Sequence, residues 1–525
     1  MRVVTVAQMR EIEATAETRY GLAGPTLMAQ AGASAAELLR GWLGGDVEDT
    51  RVLVLVGPGN NGGDGRILAD HLLEWGAAVI IYDWATRTLQ PTNQTVDVDW
   101  SAPDALERVL VETDVVVDAL LGIGVSRPLS DEMQAVNRQI RTVRLARGHH
   151  PHIVAVDLPS GANADTGAVS PGTLAADVTI TLGAPKIGLF AYPLAAYMGD
   201  LLVGGIGLPA EMDLGGIAEF ATPADLAPLL PPRPPDSNKG TYGKAVIVAG
   251  SPRFPGAALL AATAAGRIGA GLVTIATTPE LARGYMGAFP EATYALFSPD
   301  LTERAGAILT AVPGSDALLI GPGLDQQPGT REWLLEVLAG LRALPDDQRP
   351  RLIIDADGLN LLSHEPDWWG LLPPRTVLTP HPGEMARLLG HTRLPDGSVD
   401  RLVRLRELAA SWDHIILLKG AITTVVAPSG PHHDRPWLNY APNPAMAAAG
   451  MGDVLAGIIV GLLAQGMAPE DAAIAGAYLH SAAGRLAVAA LGSDVRAGLV
   501  ATDLAAQLPR ARARLQPPDR ADMVE

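Results

Sequence analysis

The chain has no cysteine in 525 residues. That excludes disulfides, thiolate metal sites and cysteine nucleophiles together. Lysine is almost as scarce: Lys186, Lys239, Lys244 and Lys419 are the only four among 39 basic residues. Positive charge is short overall, because 57 acidic residues leave a formal charge of −18. Such a balance argues against generic nucleic-acid or anionic-membrane binding, which needs a basic patch. Long apolar runs are also missing. The longest, Val454 to Met467, is shorter than the ~20 residues a membrane-spanning helix requires. The opening MRVVTVAQMREIEA lacks the apolar core of a secretory signal and reads instead as a helix capped by Thr5 and Gln8. A soluble, cytoplasmic protein is expected.

What the chain does have is a repeated grammar. Short continuous apolar runs, bounded by glycine or an acid, alternate with helical patterns. Before residue 222 these runs are RVLVLVG, DVVVDALLG, HIVAVDLPSG and DVTITLG. After residue 238 they are KAVIVAG, LVTIAT, ALLIGPG, RLIIDADG, HIILLKG and TTVVAP. Runs apolar on both faces predict parallel sheets covered by helices, so both halves are expected to be α/β layers. Between them, six of the 13 residues from Pro223 to Pro235 are proline. That density predicts an extended linker without helix or central strand. The expected division is 1–217, a linker 218–238, and 239–512. In open parallel sheets ligands bind beyond the carboxyl ends of the strands, so the polar residues ending these runs are the candidates for chemistry.

In the first half, GPGNNGGDG (Gly57–Gly65) follows a strand and opens a helix. Its five glycines allow close backbone approach to a ligand, and Asn60, Asn61 and Asp64 suit a hard cation or sugar hydroxyls. No GK[ST] follows, so this is not a Walker loop. Asp118 in VVVDALLGIG and Asp157 with Ser160 in VAVDLPSG mark two further strand ends. A carboxylate in an apolar strand is costly unless paired or liganded.

These segments, in this order, resemble the NAD(P)H-hydrate epimerase domain over most of residues 1–215. The resemblance implies that Asn60, Asn61, Gly62, Gly63 and Asp64 hold the hydrated nucleotide. Gly122, Ile123, Gly124, Val125, Ser126, Arg127, Pro128 and Asp157 would join them. It also implies a potassium ion on Asn61, Asp118 and Ser160. Epimerisation at C6 needs proton transfer and charge stabilisation rather than a nucleophile, and Asp157 is the candidate acid/base.

In the second half, NPAMAAAGMGDVLAG leads through Gly450, Met451 and Gly452 to Asp453 at the start of an apolar helix. Free amides after two glycines form an anion hole, and an aspartate there can take a proton from a hydroxyl that receives phosphate. Lys419 and Thr423 end or follow a strand, His381 and Glu384 open a helix, and Asp355 and Asp357 lie in IIDADGLN. KGTYG, PGAALLAA, GPGL, DADGLN, LTPHPGE, KGAIT and GMGDVLAG together resemble the nucleotide-dependent NAD(P)H-hydrate dehydratases of the ribokinase-like superfamily, over roughly residues 225–510.

The fold implied is a Rossmann-like three-layer sandwich followed by a ribokinase-like one. By resemblance Ala257, Gly323, His381 and Asp453 contact the hydrate. Lys419, Gly420, Ala421, Ile422 and Thr423, with Gly452, bind ADP accompanied by magnesium, and Asp453 is the base. Met451 and Asp325 depart from the family pattern, which more often has threonine and glycine there. The expected substrates are NADH and NADPH hydrates and ADP, with a homo-oligomer and no nucleic-acid or membrane partner. The alternative is a ribokinase-type small-molecule kinase fused to a nucleotide-binding or scaffold domain. His149 to His152 read as solvated loop and the arginine-rich segment Pro509–Arg520 as a fraying terminus.

Overall fold

The computed structural model describes residues 1–91, 104–124, 127–298, 300–430, 432–492 and 495–515. Two compact units are present, one of Arg2–Ala218 and one formed by Glu219–Pro395 and the chain from Arg401 onward.

The first unit is built on a sheet in the order Thr88–Pro91, Ala78–Asp83, Arg51–Val56, Val115–Ala119, His152–Val156, Val178–Leu182 and Asp200–Gly204. Every neighbouring pair is parallel except the first. Alternation along one strand shows the three layers. Val52, Val54 and Val56 face a cluster with Leu39, Leu68 and Leu72, whereas Leu53 and Leu55 face one with Val109, Leu110 and Ile140. Chain direction through the sheet reverses between Arg51–Val56 and Val115–Ala119, which opens a crevice at their carboxyl ends. The first helix, Val6–Tyr20, carries the expected capping box of Thr5 and Gln8.

In the second unit the strands run Ala218–Phe220, Trp437–Tyr440, Ile422–Val426, Ile415–Leu418, Val377–Leu378, Arg351–Ile354, Ala317–Ile320, Lys244–Val248, Leu272–Thr277 and Thr293–Leu296. Ala245 and Ile247 face one helical layer and Val246 and Val248 the other. Each of the ten apolar runs forms a strand, but the sheet is not wholly parallel. Ile422–Val426 pairs antiparallel with both of its neighbours, because only Lys419–Ala421 separate it from Ile415–Leu418 and so short a connection can only reverse the chain.

Two expectations are corrected. The proline-rich segment begins with a one-turn helix, Pro223–Leu226, capped by Thr222 and Asp225 with proline at its first position. There the missing amide of proline costs nothing. Leu226 is fully buried in the core of the second unit, so this part is no free linker. Nor does Pro509–Arg520 fray throughout. Ala501–Ala513 is a helix containing Pro509, and Arg512 is buried. Its guanidinium donates to the carbonyls of Ile268 at 2.5 Å and Pro231 at 3.0 Å and to Gln465 Oε1 at 2.9 Å. Burial first, then Arg233, lowers Arg512 to about 10. A cation on the last carbonyl of helix Gly256–Ile268 also answers that helix's dipole.

Pro469–Leu491 is, by length and composition, apolar enough to cross a membrane. Here it packs between Met451–Ala464 and Ala501–Ala513, and Ala472, Ala473, Ile474 and Ala475 lie in the core. Met451–Ala464 meets Gly256–Ile268 even more closely. A methyl group on Gly457 would sit 2.3 Å from the Ala261 carbonyl oxygen. Gly457→Ala is therefore expected to destabilise the second unit by about 1–3 kcal/mol, read as a lower urea midpoint. An unchanged midpoint would show that the two helices separate freely.

Candidate active sites

The reversal point of the first sheet carries a cavity of about 730 Å³. Helix Asn60–Glu74 starts directly after strand Arg51–Val56, and glycine is required where the loop crosses its neighbours. A Cβ on Gly57 would lie 1.8 Å from the Leu120 carbonyl oxygen, and one on Gly62 would lie 1.9 Å from that of Gly57. Asn60, Asn61, Asp64, Gly122, Ile123, Gly124, Arg127 and Asp157 line the cavity. Gly62 and Gly63 shape the turn, with Gly62 buried behind it. Pro128 is exposed and not among the lining residues. Val125 and Ser126 lie outside the described residues.

Asp157 follows strand His152–Val156 in a left-handed conformation, φ 69°, which aspartate tolerates better than most residues. Its Oδ1 accepts from Lys186 Nζ at 2.5 Å, and Lys186 is only 2% exposed. Lys186 also donates to the Leu182 carbonyl at 2.8 Å and Thr181 Oγ1 at 3.3 Å. This lysine is the main partner that a reading of motifs alone does not assign. Asp118 is 1% exposed, and the Ser160 hydroxyl donates to it at 2.6 Å and the Ser160 amide at 2.9 Å. Burial pushes the Asp118 carboxyl up, against the opposing hydrogen bonds from Ser160 and Leu120. Both polar atoms of the buried Asn61 amide lack a hydrogen-bond partner, which is unusual for a buried amide. Burial, then the nearby Asp157 and Glu13 carboxylates, raise Asp64 to about 7 despite Lys186.

Glu13 also lines this cavity. Its signal was present in the sequence: Met9, Ile12 and Ala16 form the buried stripe of the first helix, and Glu13 lies on the same face at helical spacing.

In the second unit the polar groups gather at the carboxyl ends of Arg351–Ile354, Val377–Leu378 and Ile415–Leu418. Lys419 Nζ bonds Asp355 Oδ1 at 2.8 Å and lies 3.7 Å from Glu384 Oε2. Burial alone would lower the ammonium, but Asp355 and Glu384 outweigh it and hold Lys419 above the ordinary lysine value. His381 caps helix Pro382–Leu388. Its Nδ1 accepts from the amides of Gly383 at 2.9 Å and Glu384 at 3.3 Å, while Glu384 accepts from the His381 amide at 2.8 Å. Two amides on Nδ1 place the proton on Nε2, which lies 3.3 Å from Glu384 Oε1.

Gly450, φ 85°, caps Met451–Ala464, so Asp453 is the third residue of that helix and not its cap. A Cβ on Gly452 would lie 3.6 Å from Lys419 Nζ, which brings the anion hole and the ammonium together. Burial, then Asp355, raise Asp453 to about 7 against the pull of Lys419. Ala257 and Gly323 adjoin, since a Cβ on Gly323 would lie 2.8 Å from that of Ala257. Gly420 and Ala421 are exposed at the hairpin turn, and Ile422 and Thr423 begin the strand that follows it. Asp357 accepts from the Asp325 amide at 2.9 Å and Gln326 Nε2 at 3.1 Å. Asp325 has φ 66°, which gives a backbone reason for the glycine expected there.

Comparison with known proteins follows the same division. A family profile described as NAD(P)H-hydrate dehydratase matches residues 245–510, and one described as YjeF-related protein N-terminus matches residues 24–188. The bifunctional NAD(P)H-hydrate repair enzyme Nnr of Moorella thermoacetica is 37% identical over 511 residues, 92% of each chain. That of Escherichia coli K12 is 36% identical, over 96% of this chain and 92% of its own. Among solved structures, an ADP/ATP-dependent NAD(P)H-hydrate dehydratase from Bacillus subtilis is 31% identical with a TM-score of 0.46, covering 57% of this chain and 99% of its own. The chain belongs to the family of bifunctional NAD(P)H-hydrate repair enzymes.

Proposed function

We propose that the first unit equilibrates the R and S epimers of NADH and NADPH hydrates, and that the second dehydrates the S form with ADP. The observation that carries this reading is the pairing in one chain of two unlike sites. One is an acid-rich cavity without a nucleophile. The other is an anion hole where Gly452 and Lys419 meet a half-buried base, Asp453.

In the second unit Asp453 takes the proton of the C6 hydroxyl as its oxygen attacks the β-phosphorus of ADP and AMP departs. Phosphate is a far better leaving group than hydroxide. It leaves as the ring nitrogen releases its lone pair, and loss of the C5 proton restores the double bond. Gly452 and the Lys419–Thr423 segment hold the phosphates, and Ala257, Gly323 and His381 seat the ring. Magnesium bound with the nucleotide would offset phosphate charge.

In the first unit Asn60, Asn61, Asp64, Gly122, Ile123, Gly124, Arg127 and Asp157 enclose the hydrate. Asn61, Asp118 and Ser160 fit a potassium ion, since Asn61 Oδ1 has no partner and Asp118 is a buried carboxylate. The ion would fix the turn and offset that charge. The net charge of −18 supports small-molecule substrates, with no nucleic acid or membrane as partner. A cytoplasmic homo-oligomer completes the reading.

Recovery of the reduced-nicotinamide absorbance from each purified epimer, with magnesium and ADP, is the test. No recovery from either would refute the dehydratase, and recovery from S alone the epimerase. Lys419→Arg is expected to weaken ADP binding about tenfold, since a planar guanidinium cannot replace a compact ammonium beside Asp355. Calorimetric titration with ADP would measure it, and an unchanged affinity would remove Lys419 from the nucleotide site.

A further inference from the structure

The geometry points to one more catalytic residue, and we propose that Glu13 is a proton-transfer group of the epimerase, acting on the oxygen at C6 of the hydrated ring. This rests on the epimerase reading above. Asp157 is poorly placed to move protons by itself. Its Oδ1 is held by Lys186 at 2.5 Å and the Leu182 amide at 3.5 Å, and its Oδ2 by the Ile123 amide at 3.4 Å. Both of its oxygens therefore already accept from donors of the protein. Glu13 lines the same cavity, and its carboxylate forms no hydrogen bond or ion pair with the described residues. It comes from helix Val6–Tyr20, whereas Asp64 comes from helix Asn60–Glu74 and Asp157 follows strand His152–Val156.

Inversion at C6 needs proton transfer on both faces of the ring. The C6–O bond breaks as the oxygen takes a proton and the ring nitrogen's lone pair forms a C=N bond, releasing water. Water then adds to the other face and gives up a proton. One water leaves and one enters, and nothing is oxidised or reduced. Glu13 serves one face, with Asp64 on the other. Asp157 stabilises the cationic ring between them. The charged groups acting on Glu13 are Lys186, Asp157 and Arg10, and Asp64 couples to it. Burial, the largest influence, raises the Glu13 carboxyl from its ordinary value.

The test uses the full-length enzyme and both epimers. Glu13→Gln is expected to lower the kcat of R-epimer conversion by about 100-fold or more, with KM little changed and S-epimer dehydration at the wild-type rate. Glu13→Asp keeps the carboxyl and is expected to retain clearly more activity than Glu13→Gln. A wild-type kcat in Glu13→Gln, or equal losses in the two variants, overturns the proposal. Failure of the wild-type enzyme to convert the R epimer overturns the epimerase reading instead.

Discussion

Asp453→Asn is expected to abolish ADP-dependent repair of both epimers, since the R form must pass through the S form. The loss in kcat/KM should be at least about 100-fold, the ordinary contribution of a positioned general base. The substitution is nearly isosteric, and Gly450 rather than Asp453 caps the helix, so the anion hole should survive and ADP should still bind. The wild type should also show a matching pH dependence. Asp453 is raised to about 7, first by burial and then by Asp355. Only its deprotonated form can accept the hydroxyl proton, so kcat/KM should climb as pH rises through about 7 and decline below it. Steady-state rates across that range would check both points. Substantial activity in Asp453→Asn with the same pH profile would assign the base to another residue.

Asp157→Ala combines loss of activity with loss of stability. It removes the charge facing the epimerase cavity, so the S epimer alone should be repaired. It also strands Lys186, which is 2% exposed. Removing one partner of a buried ion pair typically costs about 3–5 kcal/mol, because the remaining charge stays desolvated. Alanine is in addition strained at φ 69°. Denaturant unfolding of the first unit should fall by that amount. In Asp157→Asn combined with Lys186→Met, which removes the stranded charge while keeping a side chain tolerant of that φ, stability should recover and R-epimer repair should not. A double variant that repairs the R epimer would show the pair to be structural only.

The core strands were legible because each is apolar on both faces, and ten such runs became ten strands. Ala78–Asp83 went unread although it is as apolar as those ten, whereas Thr88–Pro91, TLQP, is no continuous apolar run and the two residues Val377–Leu378 leave no pattern to count. Antiparallel pairing of Ile422–Val426 was hidden because it depends on turn length, not on strand composition. At the sites, glycines and acids at strand ends stood out. Lys186 and Glu13 were harder to place. Lys186 follows a strand with no motif of its own, and its partner Asp157 lies 29 positions away. Glu13 sits on a helix remote in sequence from the strand-end motifs. Arg512 was misread because a C-terminal arginine run looks solvated until Ile268, Gln465 and Pro231 are seen around it.

That last cluster has a bearing on synthesis. Trp437 pairs with Glu219, and Arg512 with residues near 231 and 268. The second unit therefore joins its earliest residues to nearly its last. A chain emerging from the ribosome can complete the first unit early, but the second stays open until helix Ala501–Ala513 has left the tunnel. During that interval Gly256–Ile268 and Met451–Ala464 lack one of their covering helices. A stall or truncation upstream of Arg512 would leave that apolar surface to chaperones and proteases, so quality control of the dehydratase half turns on its final helix.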